Sequence, residues 1–228
     1  MPANYPFPVS GLPSDARPYV LDQETRGAFL RKVYGLVLLG VAATGIGGVV
    51  SLQTGLALQF VHHPWIAIAL FFGLFFACQA WRRTPGLNLL LLVGFTGFSG
   101  VLFAPAAIYA GPTALGNALL ATGVSFAGLS IYGTVTKRDF SFLRTFLVTS
   151  LFAIIAVALG NMFLFKSSAV GGALAAVECF VFSGFILFDT QRLMRTQSMD
   201  DPVGFALSIY LDIVNLFLAL LQLFSRRR

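Results

Sequence analysis

Seven stretches of the chain are nearly free of charge, and each is about as long as a bilayer is thick. They run Tyr34–Leu52, Pro64–Ala80, Leu87–Tyr109, Thr113–Gly133, Phe142–Leu164, Ala169–Phe188 and Phe205–Phe224. A helix rising about 1.5 Å per residue needs about 20 mostly apolar residues to cross the hydrocarbon. The pattern predicts an all-α polytopic membrane protein, a seven-transmembrane-helix bundle. Short linkers between the runs favour antiparallel neighbours in one compact unit. Upstream lies a different texture. Residues 1–22 contain Pro2, Pro6, Pro8, Pro13 and Pro18 and are read as a disordered, proline-rich tail. The tail lacks the basic start and apolar centre of a cleavable signal. Asp22 is placed as the cap of a short amphipathic segment through Lys32 that feeds the first span. Residues 23–228 form the transmembrane domain.

Composition strengthens this reading. Of 228 residues, 57% are hydrophobic and 11% charged, with a mean hydropathy of +0.83. Soluble domains carry about 25% charged residues. The net charge of +6 does not indicate nucleic acid, because the basic residues sit in short groups between apolar runs. That is the arrangement of topology signals. With the N-terminus in the cytoplasm, the inner segments hold Arg17, Arg26, Arg31, Lys32, Arg82, Arg83, Lys137, Arg138, Arg144, Arg192 and Arg195. The outer ones hold Lys166 and the terminal Arg226–Arg228. That triplet goes against the rule: seven full crossings place it outside, whereas a re-entrant last helix would return it.

Several residue types carry little chemistry. Cys78 and Cys179 lie inside apolar runs and read as packed hydrophobes. His62 and His63, before Pro64 and Trp65, read as an interfacial pair or an external pH sensor. Glycines such as Gly45/Gly47/Gly48, Gly94/Gly97/Gly100 and Gly171/Gly172 read as helix-packing devices. Asp139 is read as a cap for the fifth span.

The acidic residues say more. Glu178, Asp189 and Asp212 fall within or against apolar runs, where a carboxylate is costly unless paired or hydrated. Runs six and seven form a hairpin turning near Asp200. Asp189 and Asp212 each lie about 17 Å along a helix from that turn, so they share a depth. Two close carboxylates in a low-dielectric pocket cannot both ionise cheaply, and the pair is expected to share a proton. The same oxygens suit a hard cation such as calcium, so protons and calcium would compete for them. The alternative is structural: each aspartate bonds Ser183, Ser208 or Asn215 and pins the helices. Ser208, Asp212 and Asn215 share one helix face. Arg82 and Arg83 either supply a counter-charge to the pair or anchor the second helix at the headgroups. Glu178, nearly in line with Asp189, either extends a polar path or is a hydrogen-bonded core residue.

Three stretches resemble the transmembrane Bax inhibitor motif family in its bacterial branch: Gly128–Ser141 (GLSIYGTVTKRDFS), Phe182–Gln191 (FSGFILFDTQ) and Ser208–Phe217 (SIYLDIVNLF). Arg82–Gly100 fits more loosely. The resemblance covers the chain from about Arg26 onward. It implies a seven-helix fold with the last helix central and a pH-sensitive calcium leak. It also implies that Asp189 and Asp212 are the sensor and that Arg82 is the gating counter-charge. Glu178 departs from the family pattern, where a small neutral residue is usual. Some relatives lack the aspartates and act on a membrane protease.

The expected function is therefore a pH-sensitive calcium leak in a bacterial inner membrane, with no enzymatic activity and no cofactor beyond calcium as ligand or permeant ion. Its partners are the lipid bilayer, protons and calcium. The alternative is a non-transporting regulator that binds a membrane protease or another membrane protein. A hydrolase is disfavoured, since no serine or cysteine nucleophile is paired with a histidine and no zinc-ligand cluster is present.

Overall fold

A computed structural model describes residues 23–136 and 138–226. Among them the regular elements are helical: α1 (Gln23–Thr54), α2 (Leu56–His62), α3 (Pro64–Ala80), α4 (Leu87–Val135), α5 (Leu143–Gly160), α6 (Ser168–Arg195) and α7 (Pro202–Ser225). The proline-rich tail and the Asp22 cap lie outside the described residues. The amphipathic lead-in and the first span are one continuous 32-residue helix. The loop expected around His62 and His63 holds the short helix α2, bent by 110° against α3. Pro64 explains the bend. It has no N–H to continue a helix, and it disfavours helical geometry at the residue before it.

Helix α4 has 49 residues, which would extend about 73 Å if straight, more than twice the hydrocarbon thickness. It is broken at Gly111, whose φ of 80° and ψ of 167° leave the helical region just before Pro112. The first leg runs alongside α1 in the same direction, with Thr44 bonded to the Thr96 carbonyl and Ser51 to the Val101 carbonyl. The second leg returns. Ala114 and Ala118 pack with Leu221, Phe126 meets the ring of Tyr34, and Gly133 lies against Thr190. Among the described residues five helices are long and apolar enough to cross a membrane, and the bent α2–α3 pair, read as one span, makes a sixth. The break in α4 turns one of them into two, giving seven crossings.

α7 is the central helix. Its window is 61% buried, against 11–39% for the other four long helices. Ile209 and Ile213 pack on Val33 and Val37 of α1. Leu207, Tyr210 and Val214 pack on Leu92 and Phe95 of α4, and Leu216 packs on Phe182 and Ile186 of α6. Its start is fixed locally: Asp201 accepts a hydrogen bond from the Gly204 N–H at 2.8 Å, and Pro202 follows as first helical residue. From Pro202 it runs unbroken to Ser225, so it does not re-enter. Arg226 at its end donates to the Ser168 carbonyl at the start of α6. The α7 start, by contrast, meets the α1 start through Phe29 and Phe205. The two ends of the described chain therefore lie on opposite faces.

α1 and the first leg of α4 cross closely enough that their backbones meet at glycine. A Cβ on Gly47 would overlap the Gly97 carbonyl, and one on Gly100 would overlap that of Thr44. Gly45 and Gly94, from the same sequence patterns, have no neighbour within 4 Å.

Candidate functional site

The antiparallel packing of α6 on α7 brings Asp189 and Asp212 within charge–charge range, each only 7% exposed. Among the described residues no hydrogen bond joins them. The Oδ2 atom of Asp212 is fully buried and has no hydrogen-bond partner. A buried polar atom without a partner costs on the order of 1–3 kcal/mol, more if charged, so this oxygen calls for a proton, a water or a cation. Ser208 and Asn215, one turn below and above Asp212 on α7, are both half-buried. Glu178 is half-buried on α6, without a hydrogen bond or ion pair among the described residues.

Arg82 is not at the pair. Its Nε lies 3.0 Å from Oδ2 of Asp201, the α7 cap. Among the described residues the arginine nearest the pair is Arg192, whose Nη1 lies 3.9 Å from Oδ1 of Asp189 one turn earlier on α6. That distance is an ion pair without a hydrogen bond. Its guanidinium also sits over the Phe205 ring at 5.2 Å. Sequence reasoning counted Arg192 only as a topology charge and gave Asp201 no role. The spacing of three from Asp189 to Arg192, and the Asp-Pro dipeptide at 201–202, were the available signals.

The rest of the FDTQ stretch is structural. Thr190 is buried against Ser130, with their hydroxyls 3.5 Å apart. Gln191 accepts from the Phe140 N–H at 2.8 Å and donates to the Arg138 carbonyl at 2.6 Å, clamping the loop between α4 and α5 onto α6. Asp139 in that loop does not cap α5, which has no side-chain cap. Its Oδ1 accepts from the Ser141 N–H at 2.9 Å and pairs with Arg195 at 2.8 Å. Those contacts, the Ser141 N–H first, hold its carboxyl below the ordinary aspartate value of 3.8.

Beneath the pair, a cavity of about 580 Å³ opens on the face where α7 begins. The end of α3 contributes Arg82, the end of α6 Arg192, and the start of α7 Asp201 and Ser208. Ser208 and Arg192 stand one turn from Asp212 and Asp189, so the cavity reaches almost to the carboxylates. Among the described residues no group of three or more His, Cys, Asp or Glu converges. The donor set is thus two carboxylates plus neutral oxygens.

Residues 26–228 match the family described as "Inhibitor of apoptosis-promoting Bax1". An uncharacterized protein of Campylobacter jejuni is 38% identical, covering 86% of this chain and 87% of its own length. An uncharacterized membrane protein of Vibrio cholerae is 33% identical, covering 85% and 87%. Protein lifeguard 4 of Mus musculus is 34% identical, covering 86% and 84%. With the family pattern running through every span, and relatives matching over nearly their whole length, this chain belongs to the Bax inhibitor family of membrane proteins.

Proposed function

We propose that the protein is a pH-sensitive cation leak, with calcium as the expected permeant ion and the Asp189–Asp212 pair as its sensor. The observation that carries this reading is the buried pair with an unpartnered Asp212 oxygen, one turn from a water-accessible cavity. When the pair is ionised it holds a cation or draws in Arg192. Protonation removes the charge, weakens both contacts and shifts the population of α7 relative to α6. Two carboxylates with Ser208 and Asn215 nearby fall short of the six to eight oxygens that hold calcium firmly, which suits an ion in passage. Arg82 acts at the mouth, by pinning the α7 cap through Asp201. Arg26, Arg31, Lys32, Arg82, Arg83, Arg138 and Arg195 share the face of the α1 start, which supports a cytoplasmic N-terminus in an inner membrane.

The test is calcium flux into proteoliposomes as a function of pH. The double variant Asp189→Asn, Asp212→Asn is expected to flatten the pH response. An unchanged response would remove the sensor role. A pure protein that conducts nothing but captures a membrane protease would instead favour a regulator.

A further inference from the structure

The 580 Å³ cavity has an unusual charge balance. Arg82, Arg83, Arg192 and Arg195 line it against a single carboxylate, Asp201. Asp201 is already covered by Arg82 at 3.0 Å. Arg195 is turned toward Asp139 at 2.8 Å and the Arg138 carbonyl at 3.1 Å. Arg192 reaches no carboxylate within hydrogen-bond distance, since Asp189 stands 3.9 Å away. Arg83 makes no hydrogen bond or ion pair among the described residues. Each guanidinium offers five N–H donors in a planar fork, so most of those on Arg83 and Arg192 have no protein acceptor. Such forks pair bidentately with carboxylate and phosphate oxygens alike.

Depth points the same way. α3 ends and α7 begins at this cavity, and the half-exposed Trp81 precedes Arg82 as an interfacial aromatic would. The cavity thus lies at headgroup level, within the volume range of small-molecule sites. We infer that this cavity binds a phosphate-bearing anion, supplied by an anionic lipid headgroup or as free phosphate, with Arg83 and Arg192 as its principal ligands. This inference does not depend on the leak reading.

The experiment uses the purified full-length chain in detergent. Retention of phosphatidylglycerol against phosphatidylcholine of the same acyl chains is followed by native mass spectrometry, and the Tm is measured with added inorganic phosphate. Retention selective for phosphatidylglycerol, weakened about tenfold or more by R83Q and by R192Q, is the expected result. R144Q removes an exposed arginine from the same face outside the cavity and should leave retention unchanged. A Tm rise with inorganic phosphate showing the same variant dependence, without selective lipid retention, would support the site and make free phosphate the source. Equal retention of both lipids together with no variant-dependent Tm response to phosphate, or a loss in R144Q matching that in R83Q, would overturn the proposal. Arg83 is exposed and makes no hydrogen bond or ion pair among the described residues, so R83Q should fold as the parent does.

Discussion

The span that α5 begins, Leu143–Phe165, and α7 are equally fit to cross a membrane by length and apolarity, yet 11% of one apolar window is buried and 61% of the other. In water the more apolar segment goes inside. In lipid an aliphatic side chain gains little by leaving the tails for the protein interior. What selects the interior helix is the groups that lipid cannot satisfy and the small residues that permit close approach. α7 carries Ser208, Tyr210, Asp212, Asn215 and Gln222 along its length. The Tyr210 hydroxyl lies 2.7 Å from that of Thr44, and Gln222 reaches the Gly171 carbonyl at 3.4 Å. On α5, by contrast, Thr149 needs no neighbouring helix: it bonds the Thr145 carbonyl of its own helix at 2.8 Å. Polarity, in this solvent, marks the centre.

The contrast between inward and lipid-facing positions can be broken most sharply at glycine. Gly47→Val forces a side chain into the Gly97 backbone, which cannot yield as a side-chain tip would. It should remove the monodisperse folded species on size exclusion, whereas Gly45→Val, two residues earlier on the open side, should leave it intact. Next in size, Leu216→Ala on α7, at 1% exposure, should cost about 2–5 kcal/mol of stability. Leu159→Ala on α5, at 49% exposure, should change it by less than about 0.5 kcal/mol. Equal losses in an unfolding titration would end the comparison.

A smaller effect tests the polar half of the argument. Tyr210→Phe keeps the packing and removes the bond to Thr44, for an expected loss of about 0.6–1.7 kcal/mol, the range of interhelical hydrogen bonds in membranes. No change in Tm would mean that this hydroxyl does not help hold α7 in place. The smallest effect is on the loop that α6 clamps. Asp139 has a lowered folded-state value, so its contribution is present above the ordinary 3.8 and is lost as pH falls through the lowered value. The Tm difference between the parent and Asp139→Asn should therefore shrink below about pH 4. A difference that grew on acidification would contradict the Ser141 and Arg195 contacts.

The seven spans were legible in the chain because apolar runs of membrane length have one common solution. The aspartate pair was legible too, since hairpin arithmetic fixes depth on adjacent antiparallel helices. Arg82 shows where that method runs out. Its position at the end of the second span was plain, but whether its guanidinium meets Asp201 or the buried pair depends on how α3 tilts against α7. Asp139 is a similar case. A carboxylate before a helix reads as a cap until the loop is clamped by Gln191 and offers it Ser141 and Arg195 instead.

By itself the sequence determined the apolar runs of membrane length, the grouping of the basic residues between them and the depth of each buried carboxylate. All three follow from local spacing along a helix. Only the tertiary structure decided that α7 ends on the face opposite the α1 start, and that among the described residues Arg192 is the cation nearest the aspartate pair. Those outcomes depend on rotation and tilt between helices, and a hydrophobic pattern that lipid satisfies from every side leaves rotation and tilt free until side chains meet.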